Sequence, residues 1–172
     1  MKQRGVTLVE LLTTLAVSSI LLGIAVPGYG LLINSIRLSG LTNDLVSALN
    51  LARSEAIKRG VRVTLCKSAN PMAAEPVCQT SGFWQDGWIA FVDRNAVGKR
   101  DGDDRLLMVW QGSDHASITA SNFSTFVSYM PDGRSRGPSH LATGSLNICL
   151  GGNRRRIILN STGRIRLQKE FC

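Results

Sequence analysis

Charge is nearly absent from Val6 to Ile36, where Glu10 is the only side chain that is normally ionised. Such a run exceeds the roughly 20 apolar residues that cross a bilayer core. Histidine is scarce too: the 172 residues hold two, and the four cysteines do not fall at zinc-finger spacing. That argues against a His/Cys metal centre, and neither a metal nor a cofactor enters the reading. No internal repeat and no low-complexity tract breaks the chain, which leaves room for one modest domain plus a membrane segment. The hydrophobic fraction of 44% therefore averages two different solvents.

Lys2 and Arg4 ahead of the apolar run first suggest a secretory signal. A signal, however, has an apolar region of roughly 7–15 residues and then a small-residue cleavage site. Here the run is far longer and carries a glutamate near its start. The basic leader predicts a cytoplasmic N-terminus and an external C-terminal domain. Gly5-Val6-Thr7-Leu8-Val9-Glu10-Leu11-Leu12 resembles the processing site of type IV pilins and type II secretion pseudopilins. The resemblance implies cleavage by a prepilin peptidase between Gly5 and Val6, methylation of the new N-terminus, and Glu10 as the fifth mature residue. Val6 departs from the Phe usual at the first mature position. A carboxylate within lipid is costly and usually paired; a neighbouring subunit's N-terminal amine is its natural partner, which would set axial register in a fibre.

The helix is expected to run on past the membrane. Leu38, Leu41, Leu45, Leu49, Ala52 and Ala56 recur at three- and four-residue spacing, and Arg37, Asp44, Arg53, Glu55 and Lys58 mostly occupy the remainder. Gly60 is a stop, and Pro27 with Gly28 and Gly30 predicts a kink or local melting. From Val61 the pattern changes to short strands. Candidates are Val61–Leu65, Trp88–Val92, Leu106–Trp110, Phe126–Met130, Leu146–Leu150, Ile157–Leu159 and Ile165–Leu167, separated by turns such as Pro131-Asp132-Gly133 and Thr162-Gly163. One long helix followed by short strands predicts an α+β fold with antiparallel sheets.

Three further blocks narrow the resemblance: Ala48 to Ile57 at the helix end, Trp84-Gln85-Asp86-Gly87-Trp88 with Phe91 and Asp93, and Tyr129-Met130-Pro131-Asp132-Gly133. They look like the GspH/FimT group of minor pilins. The likeness implies a leader at 1–5, a transmembrane and fibre-core helix at 6–36, its amphipathic continuation at 37–60, and a β-rich two-sheet domain at 61–172. It also implies other pilins as partners, and a single-pass inner-membrane protein that ends up in a pilus at the cell surface.

Four cysteines allow three pairings. The favoured one joins Cys66 to Cys78, closing a loop of small residues and prolines, and Cys149 to Cys172, pinning the last residue. Such staples fit an oxidising compartment.

Positive charge is concentrated at the C-terminus. From residue 134 onward Arg134, Arg136, Arg154, Arg155, Arg156, Arg164, Arg166 and Lys169 face Glu170 alone, which is nearly the whole formal charge of +8. Clustering of this kind is the footprint of polyanion binding. Alternation along a strand predicts Arg164 and Arg166 on one face and Ile165 and Leu167 in the core. Gly163-Arg164-Ile165-Arg166 looks like the GRxR motif of FimT-type pilins, some of which bind DNA during natural transformation. The resemblance makes Arg164 and Arg166 contacts to double-stranded DNA; Arg154, Arg155, Arg156 and Lys169 are added from the charge pattern alone. The competing reading is a solvated basic face on a structural or priming subunit, of a pilus or of a secretion pseudopilus, with no nucleic-acid role.

Three other signals are read as bland. Gly133-Arg134-Ser135-Arg136-Gly137 matches G-x-S-x-G, but only His140 and Glu170 follow, in the wrong order for a triad, so no enzyme is expected. Asp93, Asn95, Asp101, Asp103 and Asp104 do not match an EF-hand and suggest a surface loop. Trp84, Trp88 and Trp110 are assigned to the core rather than to base stacking.

Overall fold

The computed structural model describes residues 5–95 and 97–172, without the side chains of residues 25–28. The basic leader residues Lys2 and Arg4 and the bend expected at Pro27 therefore lie outside the described residues. Helix α1 spans Leu8–Arg59, about 78 Å at a rise of 1.5 Å per residue. Its start is set by Thr7, whose Oγ1 accepts a bond from the Glu10 amide at 3.3 Å. It ends on Gly60 in the left-handed conformation (φ 66°), and the Gly60 amide donates to the Ala56 carbonyl. Lys58 and Arg59 in the last turn oppose the negative end of the helix dipole.

The two halves of α1 live differently. In the first half the apolar side chains, among them Leu8, Leu12, Leu15, Ile20 and Leu22, are exposed. In the second half the predicted stripe of Leu38, Leu41, Leu45, Leu49, Ala52 and Ala56 is buried, together with Ala48. This stripe is the floor on which two antiparallel sheets are built.

The strands are β1 (Val63–Lys67), β2 (Gly87–Val92), β3 (Leu106–Gln111), β4 (Ser117–Ser121), β5 (Phe126–Tyr129), β6 (Ser135–Arg136), β7 (Gly144–Leu150), β8 (Asn153–Leu159) and β9 (Ile165–Phe171). One sheet has the order β3-β2-β1-β5-β6, the other β4-β7-β8-β9. The fold is α+β, as the sequence pattern predicts. Strands β1, β2, β5, β7 and β8 supply the main packing against α1. Leu65 and Val127 from one sheet and Leu146, Ile148, Ile157 and Leu159 from the other meet the helix in one core. Trp84 and Trp88 are buried in it, and the Trp88 and Trp110 rings stack at 3.8 Å. Both expected cysteine pairs are bonded, with Cα–Cα separations of 5.6 Å for Cys66–Cys78 and 6.1 Å for Cys149–Cys172.

Two expectations need correction. The acidic stretch is not simply a solvated loop, because Asp93 and Asp104 are buried. Asp93 accepts from Arg62 at 2.7 Å, from the Thr64 hydroxyl at 2.6 Å and from the Gly98 amide at 2.9 Å. A buried carboxylate with three donors is satisfied by the protein itself. Leu167, expected in the core, is 48% exposed. Its register partner Ile157 is fully buried, but β9 is the edge strand and extends past the cover that α1 provides.

Candidate nucleic-acid interface

Strands β8 and β9 pair antiparallel over their whole length: Ile158 faces Arg166, Arg156 faces Gln168, and Arg154 faces Glu170. Directly opposed residues share a face of the sheet. Since Ile157 and Leu159 face α1, the opposite, outward face carries Arg154, Arg156, Arg166 and Glu170. Arg155 and Lys169 form a register pair on the α1 side, beside the 86% exposed Phe171. The six basic residues singled out by sequence therefore divide between two faces. Consecutive residues cannot share a face of a strand, so the run Arg154-Arg155-Arg156 had to split.

Charge pairing divides the outward face further. Glu170 lies between two arginines, 3.6 Å from Arg154 and 3.7 Å from Arg156. Arg164 and Arg166 are exposed and, among the described residues, have no carboxylate partner. The free positive charge is thus at the turn end of the hairpin. The two ends of the hairpin are far apart along α1: Gly151, in the β7–β8 turn, sits against the side chain of Asn34, whereas the β8–β9 turn sits at Arg53.

The β8–β9 turn is built on Asn160. Its Oδ1 accepts from the Arg164 amide at 2.9 Å and the Thr162 hydroxyl at 2.8 Å, and its carbonyl accepts from the Gly163 amide at 2.9 Å. Gly163 has φ 74°, and a Cβ there would lie 2.1 Å from the Gly133 carbonyl oxygen. Only glycine satisfies both demands. The turn thereby presses against the β5–β6 turn of the other sheet. Arg53 ties the two together, donating from Nε to the Gly133 carbonyl at 3.2 Å and from Nη2 to the Thr162 carbonyl at 3.0 Å. Ser135 adds a third tie, its hydroxyl lying 2.6 Å from the Ala142 carbonyl and 2.9 Å from that of Asn160. The serine of the G-x-S-x-G match is thus a buried brace between backbone carbonyls. Sequence pattern assigned Arg53 to the polar remainder of the helix and gave Asn160 no role. The signal available for Arg53 was its place among the buried helix positions Leu49, Ala52 and Ala56.

Tyr129 lies under the same turn. Burial pushes its phenol well above the ordinary range, with the nearby Arg53 opposing the effect, and among the described residues its hydroxyl has no hydrogen-bond partner. At the other end of the chain, Gly5 and Val6 are exposed ahead of the helix, and Glu10 is exposed in the first turn of α1.

A helix left bare in its first half and carrying two antiparallel sheets on its second is the architecture of a pilin-type subunit. The crystal structure of the type IV minor pilin FimU of Pseudomonas aeruginosa PAO1 superposes with a TM-score of 0.59 at 16% identity, over 78% of this chain and 90% of that one. A second crystal form of FimU gives 0.54 at 15%, over 76% and 91%. The pilin-like protein PilA1 of Thermus thermophilus is 29% identical across 98% of this chain and the whole of that protein. Residues 1–26 match the prokaryotic N-terminal methylation motif. Residues 41–163 match the family described as type II transport protein GspH, and the chain belongs to that family of minor pilins and pseudopilins.

Proposed function

We propose that the chain is a minor pilin that assembles into a type IV pilus and binds double-stranded DNA without sequence preference, in support of DNA uptake during natural transformation. The observation that carries this reading is the pair Arg164 and Arg166, exposed and free of carboxylate partners among the described residues, where β9 leaves a turn tied to both sheets. Guanidinium forks suit phosphate oxygens, and phosphate contacts give affinity without reading bases. Arg156 is the diagonal neighbour of Arg166 and joins the row with its charge shared by Glu170. Arg154, Arg155 and Lys169 have weaker claims, the first through its ion pair and the other two because they lie on the opposite face of the sheet from Arg166.

Processing follows the motif: a prepilin peptidase removes residues 1–5, Val6 becomes the methylated N-terminus, and the precursor spans the inner membrane once with its C-terminal domain outside. In the fibre Glu10 pairs with a neighbour's N-terminal amine. The role proposed is structural and DNA-binding, and no catalytic role is proposed.

The test is fluorescence anisotropy of labelled duplex DNA with the full-length chain in zwitterionic nanodiscs, over a series of salt concentrations. Affinity should be similar for unrelated sequences and fall with a log–log slope of about −0.9 per phosphate contacted. Arg164→Gln/Arg166→Gln should flatten that slope by about 1.8. Unchanged binding by the double variant removes the hairpin from consideration. A second reading, a structural pseudopilin of a secretion system, is favoured by the description of the matched family as a type II transport protein. Absence of any salt-dependent binding by the parent decides for it.

A further inference from the structure

The two turns that Arg53 locks together enclose a cleft of about 590 Å³. On the β5–β6 side its wall is Asp132, Arg134, Arg136 and His140; on the β8–β9 side it is Ser161 and Thr162. Arg164 follows two residues after Thr162, so the cleft and the free arginines of the hairpin are parts of one surface. The geometry points to this cleft as a second phosphate-binding station, which continues the DNA path from Arg164 and Arg166 across the turn to Arg134 and Arg136. The inference rests on the DNA reading above and adds residues from the other sheet to it.

Three features support an oxyanion as the occupant. Arg136 projects from the two-residue edge strand β6, is exposed, and has no carboxylate partner among the described residues. Arg134 has only Asp132, at 3.5 Å with both side chains largely exposed, and such a contact holds little energy in water. The walls cannot drift apart, because the Ser135 hydroxyl and Arg53 fix the β5–β6 turn to carbonyls of the β8–β9 turn. Walls that are already fixed cost little entropy when a polyanion settles between them, with Arg134 and Arg136 on one side and the Ser161 and Thr162 hydroxyls on the other. Asp132 is the one carboxylate in the wall. Its Oδ1 accepts from the Arg134 amide at 3.0 Å, a contact that asparagine preserves. Asp132 thus serves the turn's backbone while its charge opposes the proposed ligand.

That conflict supplies a test with opposite signs. Duplex DNA binding is measured on the full-length chain in zwitterionic nanodiscs for Arg134→Gln/Arg136→Gln, Asp132→Asn and Arg164→Gln/Arg166→Gln. The first pair should lower affinity and flatten the salt slope by about 1.8, as two lost phosphate contacts require. Asp132→Asn should raise affinity several-fold, an effect that a purely structural role for the turn does not produce. Near-UV circular dichroism checks that each variant is folded, as expected for exposed side chains. If Arg134→Gln/Arg136→Gln binds like the parent while Arg164→Gln/Arg166→Gln is weakened, the DNA stays on the hairpin and the cleft proposal fails alone. If Arg134→Gln/Arg136→Gln loses incorporation into fibres but binds DNA normally, the cleft is a subunit interface and the proposal is overturned. If neither pair affects binding, or the parent does not bind, the DNA reading falls and the cleft falls with it.

Discussion

Replacing Gly163 by alanine tests whether the packing of the two turns organises the basic tip. Two costs arise. A side chain at φ 74° incurs the left-handed penalty of about 1–2 kcal/mol. In addition the new Cβ would stand 2.1 Å from the Gly133 carbonyl oxygen, a backbone atom whose own turn is held by Arg53 and Ser135. Relief requires the turns to separate, and overpacking of this kind costs about 1–3 kcal/mol. The total, about 3 kcal/mol, corresponds to a fall in melting temperature of about 10 °C for a domain of this size. Gly152→Ala is the control, because Gly152 has φ 80° with nothing within 4 Å of the added Cβ. It should show the conformational penalty alone, about half the effect or less. Thermal melting of the full chain can be followed through the near-UV signal of the stacked Trp88–Trp110 pair. If Gly163→Ala melts no lower than Gly152→Ala, the turns are not packed as described and Arg164 is not rigidly presented.

Cys172→Ser should lower stability by about 2–5 kcal/mol in chemical denaturation, since Cys149–Cys172 closes the C-terminal hairpin across a separation of 23 residues. Tyr129 gives a pH signature. Its phenol ionises near pH 10 when unfolded and only at higher pH when folded, so stability should be level below about pH 10 and fall above it as the unfolded state loses its proton first. Tyr129→Phe should abolish that alkaline slope and cost little at neutral pH, because the buried hydroxyl has no partner to lose. Co-expression with a prepilin peptidase should leave Val6 as the N-terminus, read by mass spectrometry; an intact leader would count against pilin processing. Glu10→Gln should insert in the membrane normally but fail to enter fibres, and normal incorporation would remove the register role.

Local pattern made most of the fold legible. The α1 stripe was readable because leucine and alanine recur at helical spacing, and all six predicted positions are buried. Strands with apolar runs were readable for the same reason. β4 was not: Ser117-Ile118-Thr119-Ala120-Ser121 buries chiefly Ile118, and an edge strand needs no more than one anchored face. β6 was invisible as well, since two residues carry no period. Leu167 shows a different limit. Alternation correctly assigns it to the α1 face, but only the order of strands in the sheet reveals that the helix stops short of β9. Period says which way a side chain points and leaves open what, if anything, lies there to cover it.

The same limit governs the charged residues, with a consequence for how the tip is carried. Sequence grouped the arginines by proximity along the chain, whereas the fold groups them by face and by end of the hairpin. Arg154 and Arg156 share Glu170, Arg155 turns toward α1, and the turn that leads into Arg164 meets the turn that leads into Arg134 because Gly163 packs against Gly133. The residue that makes this possible, Arg53, belongs to α1, six positions before the helix ends at Arg59. Helix α1 therefore carries the bare apolar segment in its first half and the clamp of the basic tip near its end. The orientation of the tip relative to the two sheets is set by the second half of that helix, which buries its stripe against both of them and holds both turns through Arg53.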